Sequence, residues 1–151
     1  MHVCRVKLSF VIPRIDEPQD LQFLELGQKR TFASRELQAR ADGNPLRDGR
    51  KQYLVKLGDR EAAYLSFDVF WPDQINLYEI FVVRDLRNHG IGSECIRFAL
   101  ELTKSLSKPK LTVWPRPLSD QSQDDLVAWY MRRGFTPMLD NSELLEIVLP
   151  T

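Results

Sequence analysis

The sequence has only two cysteines and two histidines, and 21 Lys and Arg residues are balanced by 21 Asp and Glu. Each of these shortages removes a class of function. Cys4 and Cys95 lack a metal-like spacing and do not imply a disulfide. Two cysteines and two histidines would not easily supply a zinc site, so no metal is expected. Cancelling charges predict no general attraction to nucleic acid or to a membrane surface. No uninterrupted apolar run is long enough to cross a bilayer. The opening stretch MHVCRVKLSFVIPRIDE has too short and too polar a run for a signal peptide, and no small-residue cleavage site. Repeats and low-complexity segments are missing as well. A reduced, cytoplasmic setting is the expectation.

The 151 residues are one domain's worth of chain, enough to bury a real core, and a single domain over 1–151 is expected. Residues 3–12 alternate as VCRVKLSFVI and read as a strand ended by Pro13. Asp16-Glu17-Pro18 predicts a helix carrying Leu21, Phe23, Leu24 and Leu26 and ending at Gly27. A second helix is predicted near 31–41, followed by the turn-rich ADGNPLRDGR. QYLVKL and EAAYLSFDVF flank Gly58-Asp59-Arg60 as a hairpin would.

The run LYEIFVV, residues 77–83, suits a strand buried on both faces. Ile91, Cys95, Ala99, Leu102 and Leu106 share one helical face, and KLTVW, 110–114, returns as a strand. Strand, helix and strand form a βαβ-like unit. After PRPLSDQ, Ser122 can cap a helix that stops at Gly134, and two short strands, near 135–138 and 144–149, finish the chain. The class is α/β with a mixed sheet.

At the strand-to-helix junction stands RNHGIGSE, residues 87–94. A helix N-terminus leaves backbone N–H groups unpaired, and its dipole favours an anion. Gly90 and Gly92 would let a phosphate approach the backbone, with Arg87 beside it and Arg84 near; a tight turn needing glycine for conformation alone explains the same residues. No G-x-x-x-x-G-K-[ST] string occurs, and Cys95 stands where a dinucleotide-binding motif wants its third glycine.

VVRDLRNHGIG, residues 82–92, resembles the acetyl-CoA-binding motif R/Q-x-x-G-x-G/A of the GNAT (Gcn5-related) N-acetyltransferases, which follows a buried strand. WYMRRGF, residues 129–135, resembles the family's second signature, aromatic-Tyr-x-x-x-Gly-Phe. The Pro-containing loop followed by SQDDL and an aromatic-Tyr pair is similar to small phage- or plasmid-type members. The resemblance implies the GNAT fold, a mixed central sheet of about six to seven strands with about four helices, splayed where the 77–83 strand meets the 110–114 strand.

It also implies acetyl-CoA as co-substrate and direct attack of an amine on the thioester. The backbone of Phe81, Val82 and Val83 would pair with the pantetheine arm. N–H groups of Asn88, His89, Gly90, Ile91, Gly92 and Ser93 would cradle the pyrophosphate, with Arg87 adjacent. A backbone N–H near Val82 would hold the carbonyl oxygen's charge, and Tyr130 would act as general acid. Glu79 is the only acid inside its strand and stands as candidate base; a structural ion pair is its other reading, and the facing of alternate side chains would turn on a bulge. Counted back from Tyr130, the family's CoA-contacting asparagine corresponds to Gln123 and its usual alanine to Leu126. Arg132, Arg133 and Lys104 could meet the phosphates or simply face solvent.

The acceptor is a small amine or a protein lysine or N-terminus. Acid-rich Asp16, Glu17, Asp20 and Glu25 could attract a cationic amine or form a solvated helix face, and Trp71-Pro72 could line the acceptor cleft or turn a hairpin. Neither nucleic acid nor membrane is an expected partner, and a homodimer is admitted. The alternative to an enzyme is an acyl-CoA-binding or protein-interaction module on the same fold.

Overall fold

The computed structural model describes residues 3–8 and 19–150. Its strands are β1 (Val3–Leu8), β2 (Gln19–Glu25), β3 (Arg50–Leu57), β4 (Arg60–Asp68), β5 (Ile75–Val82), β6 (Lys110–Val113), β7 (Thr136–Pro137) and β8 (Leu145–Val148). The helices are α1 (Arg35–Asp42), α2 (Ile91–Ser105) and α3 (Gln123–Arg132), with a 3-10 turn at Arg84–Leu86. One sheet runs β1-β2-β3-β4-β5-β6-β8-β7. Among the described residues only β5 and β6 are parallel neighbours; the other pairs are antiparallel. The fold is α/β with a mixed sheet, as expected.

The helix expected over 16–27 is not formed: its residues 19–25 are strand β2, while 16–18 lie outside the described residues. Leu21 and Phe23 are fully buried and pair with Leu57 and Val55, whereas Gln22 and Leu24, which alternate with them, are only half-buried. That is a period of two, and the cluster of leucines masked it. Strand in place of helix there gives eight strands and, among the described residues, three α-helices. The opening strand is present as β1, its expected end at 9–13 falling outside the described residues. Ser34 and Ser122 cap α1 and α3, each accepting a bond three residues on, from Leu37 N and Asp125 N. Gly134, with φ 105, follows α3 in the conformation that favours glycine.

Phe98 of α2 fixes one face of the sheet. Its ring stacks on Phe23 at 4.3 Å and meets Tyr53 edge-on at 4.8 Å, with Phe67 at 6.4 Å. These three residues come from β2, β3 and β4 and share the α2 side of the sheet. Leu37 and Ala41 of α1 are buried on the opposite side, where Phe32 meets Tyr64 edge-on at 6.4 Å.

Two irregularities in β5 make the site. It pairs with β6 only through Ile75↔Leu111, Asn76↔Thr112 and Leu77↔Val113, after which β6 ends. Among the described residues, 78–82 therefore have β4 on one side and no strand on the other. This is the expected splay. The second irregularity is a bulge: Ser66 pairs with Glu79 and Phe67 with Leu77, leaving Tyr78 as the extra residue. Leu77 shares the α2 side with Phe67. The extra residue puts Glu79 on the α1 side, which simple alternation from Leu77 would have denied it.

Burial pushes the Tyr64 phenol up to about 12, with the Glu79 charge adding to it. Burial also raises the phenols of Tyr53 and Tyr130 well above their ordinary value. A raised folded-state pKa means the unfolded chain loses its protons first as pH climbs past about 10. Stability is thus fully present below that pH and is expected to fall between about 10 and 12. Urea midpoints across that range test this; a flat profile would mean the phenols are not held protonated.

Candidate active site

The open edge of β5 lines a cleft of about 600 Å³, a normal size for a small-ligand site. Val83 N–H donates to Ala62 O at 2.9 Å, so this residue bonds to β4. Bonding alternates along an antiparallel pair, which turns the N–H and C=O of Val82 the other way, into the opening. Two arginine side chains confirm the direction: Arg87 Nε donates to Val82 O at 3.0 Å and Arg116 Nη2 to Tyr78 O at 3.2 Å. Phe81 lies along the cleft wall, with Arg40 and Arg87 each 5.3 Å from its ring centre.

One end of the cleft suits an anion. The chain leaves β5 through the 3-10 turn and swings through Asn88 (φ 66) and Gly90 (φ 86) into α2. Gly90 supplies no side-chain cap, so the first N–H groups of α2 are left for a ligand or solvent. Asn88, Gly90, Gly92 and Ser93 line the cleft here, as do Arg132 and Arg133 of α3. Arg133 lies 3.8 Å over the Trp129 ring and donates to Ser93 Oγ at 3.0 Å. Burial lowers its pKa from the ordinary value, and the Arg132 charge adds to that; a bound anion would act in the opposite direction by favouring the charged form. Arg87 is held by Asp120 at 3.4 Å, with Arg84 at 4.0 Å from the same oxygen.

The two glycines serve different ends. A Cβ on Gly90 would meet nothing within 4 Å, and its need is the positive φ. A Cβ on Gly92 would stand 2.8 Å from Trp129 Cζ2. The missing side chain of Gly92 is therefore spent on α3, which packs against the start of α2.

Tyr130 is buried on α3 and lines the cleft, its ring edge-on to Trp129 at 5.0 Å and to Phe135 at 5.4 Å. Burial raises its phenol; the Arg116 charge pulls the other way without cancelling it. Beyond Tyr130 the cleft reaches the bulge, where Arg40, Gly43, Tyr78, Glu79, Trp114 and Arg116 line it. Glu79 is ion-paired with Arg40, and its other oxygen is 3.5 Å from Asn44 Nδ2, at the limit of a hydrogen bond.

Several expected site residues stand elsewhere. Val83 is buried and its N–H is consumed by β4, so it offers the cleft no donor. The Ile91 side chain is in the core and His89 is half-buried off the cleft wall, so what either could bring to an anion is its backbone N–H, Ile91 being the first residue of α2. Gln123 faces a separate groove with Pro115, Pro117 and Val127, and its Nε2 is 3.4 Å from Pro115 O. Helix α3 presents Asp125, Leu126 and Trp129 to the cleft instead, because Gln123 lies on its other side. Lys104 is exposed and not part of the site. Trp71 lies in the turn between β4 and β5 and not on the cleft wall, its ring tilted 31° to that of Phe70 at 4.0 Å and its carbonyl accepting from Lys108 at 2.6 Å. Asp20 and Glu25 stand on β2, three strands from β5, with Glu25 paired to Lys51 at 3.3 Å; Asp16 and Glu17 lie outside the described residues. Arg40, Arg116 and Asp120 were not singled out in the sequence. The one signal for Arg116 was its place between two prolines in PRPLSDQ.

A free β5 edge, a tyrosine beside it and an anion seat at a helix start coincide with a family match. The sequence profile described as "Acetyltransferase (GNAT) family" fits residues 16–135. The chain belongs to the GNAT family. Solved GNAT structures share its fold. A GNAT family acetyltransferase from Elizabethkingia anophelis with acetyl-CoA bound is 15% identical, at a TM-score of 0.64 over 85% of this chain and 98% of that one. An acetyltransferase from Bacillus subtilis in complex with CoA is 16% identical, with TM-score 0.64 over 85% of this chain and 99% of the other. Nourseothricin acetyltransferase is 16% identical at 0.54, over 68% and 67%. At these identities the likeness shows the fold alone, and the narrower phage- or plasmid-type resemblance is not supported. No curated protein sequence matches the chain. Among the described residues, no helix is long and apolar enough to cross a membrane.

Proposed function

We propose that this GNAT protein transfers the acetyl group of acetyl-CoA to an amine, in the cytoplasm. The observation that carries the reading is the backbone of Val82 turned into an open cleft that also holds the Tyr130 phenol. The pantetheine arm would pair with the free edge of β5, and its pyrophosphate would sit at the start of α2. There the amides near Gly90, Gly92 and Ser93 and the guanidinium of Arg133 face it. Arg87 would exchange its contact with Asp120 for the phosphate.

The amine nitrogen bonds to the thioester carbonyl carbon, and the carbon–sulfur bond breaks. Val82 N–H stabilises the charge that develops on the carbonyl oxygen. Tyr130 gives its proton to the departing thiolate, and the amine's proton leaves through the Glu79 oxygen not held by Arg40, directly or through a water. The products are an N-acetylated amine and CoA thiol.

Thiol release from acetyl-CoA, followed with a panel of amines and peptides, tests this. Release that depends on the amine is the expected result. Tight acetyl-CoA binding by calorimetry with no turnover across the panel would instead mark a binding module.

A further inference from the structure

The bulge end of the cleft carries a charge that nothing answers. Arg40 is paired with Glu79, and Arg50 is paired with Asp68 at 2.8 Å. Arg116 has no carboxylate within ion-pair distance among the described residues. It is exposed, fixed by one bond from Nη2 to Tyr78 O, and its guanidinium carbon lies 4.4 Å from the Tyr78 ring centre and 5.9 Å from that of Trp114. Arg50 stands at the same 4.4 Å from the Tyr78 ring, so two cations share one aromatic side chain. An anion beside Arg116 would accept from the guanidinium N–H groups that Tyr78 O leaves free.

This anion is not a CoA phosphate. Val82 is four residue steps along the strand from Tyr78, roughly 13 Å, and the anion seat lies beyond Val82 with Arg87, Arg132 and Arg133 of its own. We infer that Arg116 holds the carboxylate of the acceptor, which makes the acceptor a small amino-acid-like amine. Tyr78 and Glu79 are consecutive, and neighbouring Cα atoms are about 3.8 Å apart. Arg116 donates to the carbonyl that joins Tyr78 to Glu79, so a carboxylate at Arg116 and an amine at Glu79 fit within one small molecule. An α-amino acid meets that requirement; a polyamine could place an amine at Glu79 but has no anion for Arg116.

The inference rests on the acetyltransferase reading, and its test separates the two. The wild-type protein, saturated with CoA, is titrated calorimetrically with amino acids of small, branched, aromatic, acidic and basic side chains. Each is matched by its carboxamide and its decarboxylated amine. In at least one series the acid should bind about tenfold or more tightly than both partners, the scale of one charge-assisted contact. Arg116→Gln should abolish that difference and Arg116→Lys should keep part of it, with CoA affinity and melting temperature unchanged in both. Amides or plain amines binding as well as the acids, no acid binding at all, or a preference that survives Arg116→Gln would overturn the inference. If the wild type failed to bind CoA itself, the acetyltransferase reading would fall first.

Discussion

Tyr130→Phe is expected to lower kcat about a hundredfold or more, the usual contribution of a positioned general acid, and to leave acetyl-CoA affinity unchanged. Its ring is locked between Trp129 and Phe135, so removing the hydroxyl alters the chemistry and not the packing. The phenol is pushed up by burial and keeps its proton at any working pH. Desolvation beside the buried ring would raise the leaving thiolate in the same direction, which narrows the gap the proton must cross. Arg116 adds to this by favouring the phenolate that results. Thiol-release kinetics and calorimetry check the two halves separately; an unchanged kcat would remove Tyr130 as the acid.

Gly92→Val should cost about 1–3 kcal/mol of stability, the price of overpacking, or a few degrees of melting temperature for each kcal/mol. The gain in helix propensity over glycine is a few tenths of a kcal/mol, too small to offset it. Trp129 cannot slide aside easily, because Arg133 covers its face and Tyr130 meets it edge-on. Helix α3 must shift against α2, taking the Arg133–Ser93 bond with it, so CoA affinity should fall as well. Trimming the indole to Leu in the Gly92→Val background should recover part of the loss, a coupling that a double-mutant cycle reads directly. Additive effects would show that the two side chains do not collide.

The βαβ unit and the Ser122 and Gly134 ends of α3 were legible, because each depends on a short contiguous stretch. The segment 19–25 was not, since Leu21, Phe23, Leu24 and Leu26 satisfy a helical stripe and a strand's alternation almost equally well. Gln123 matched the family's asparagine by counting, but the face a helix turns to a cleft is set by tertiary packing. The partner of Gly92 was equally hidden, because Trp129 is brought to it by the fold and not by the chain. Arg116 lies in a loop, where neither period applies.

The bulge at Tyr78 has a bearing on how relatives are compared. Two chains that differ only in having or lacking that extra residue would print the same letters and present them to opposite sides of the sheet. A carboxylate shared by position would then not be shared by place. The acid that serves one acceptor and the acid that merely braces a helix could thus be one insertion apart.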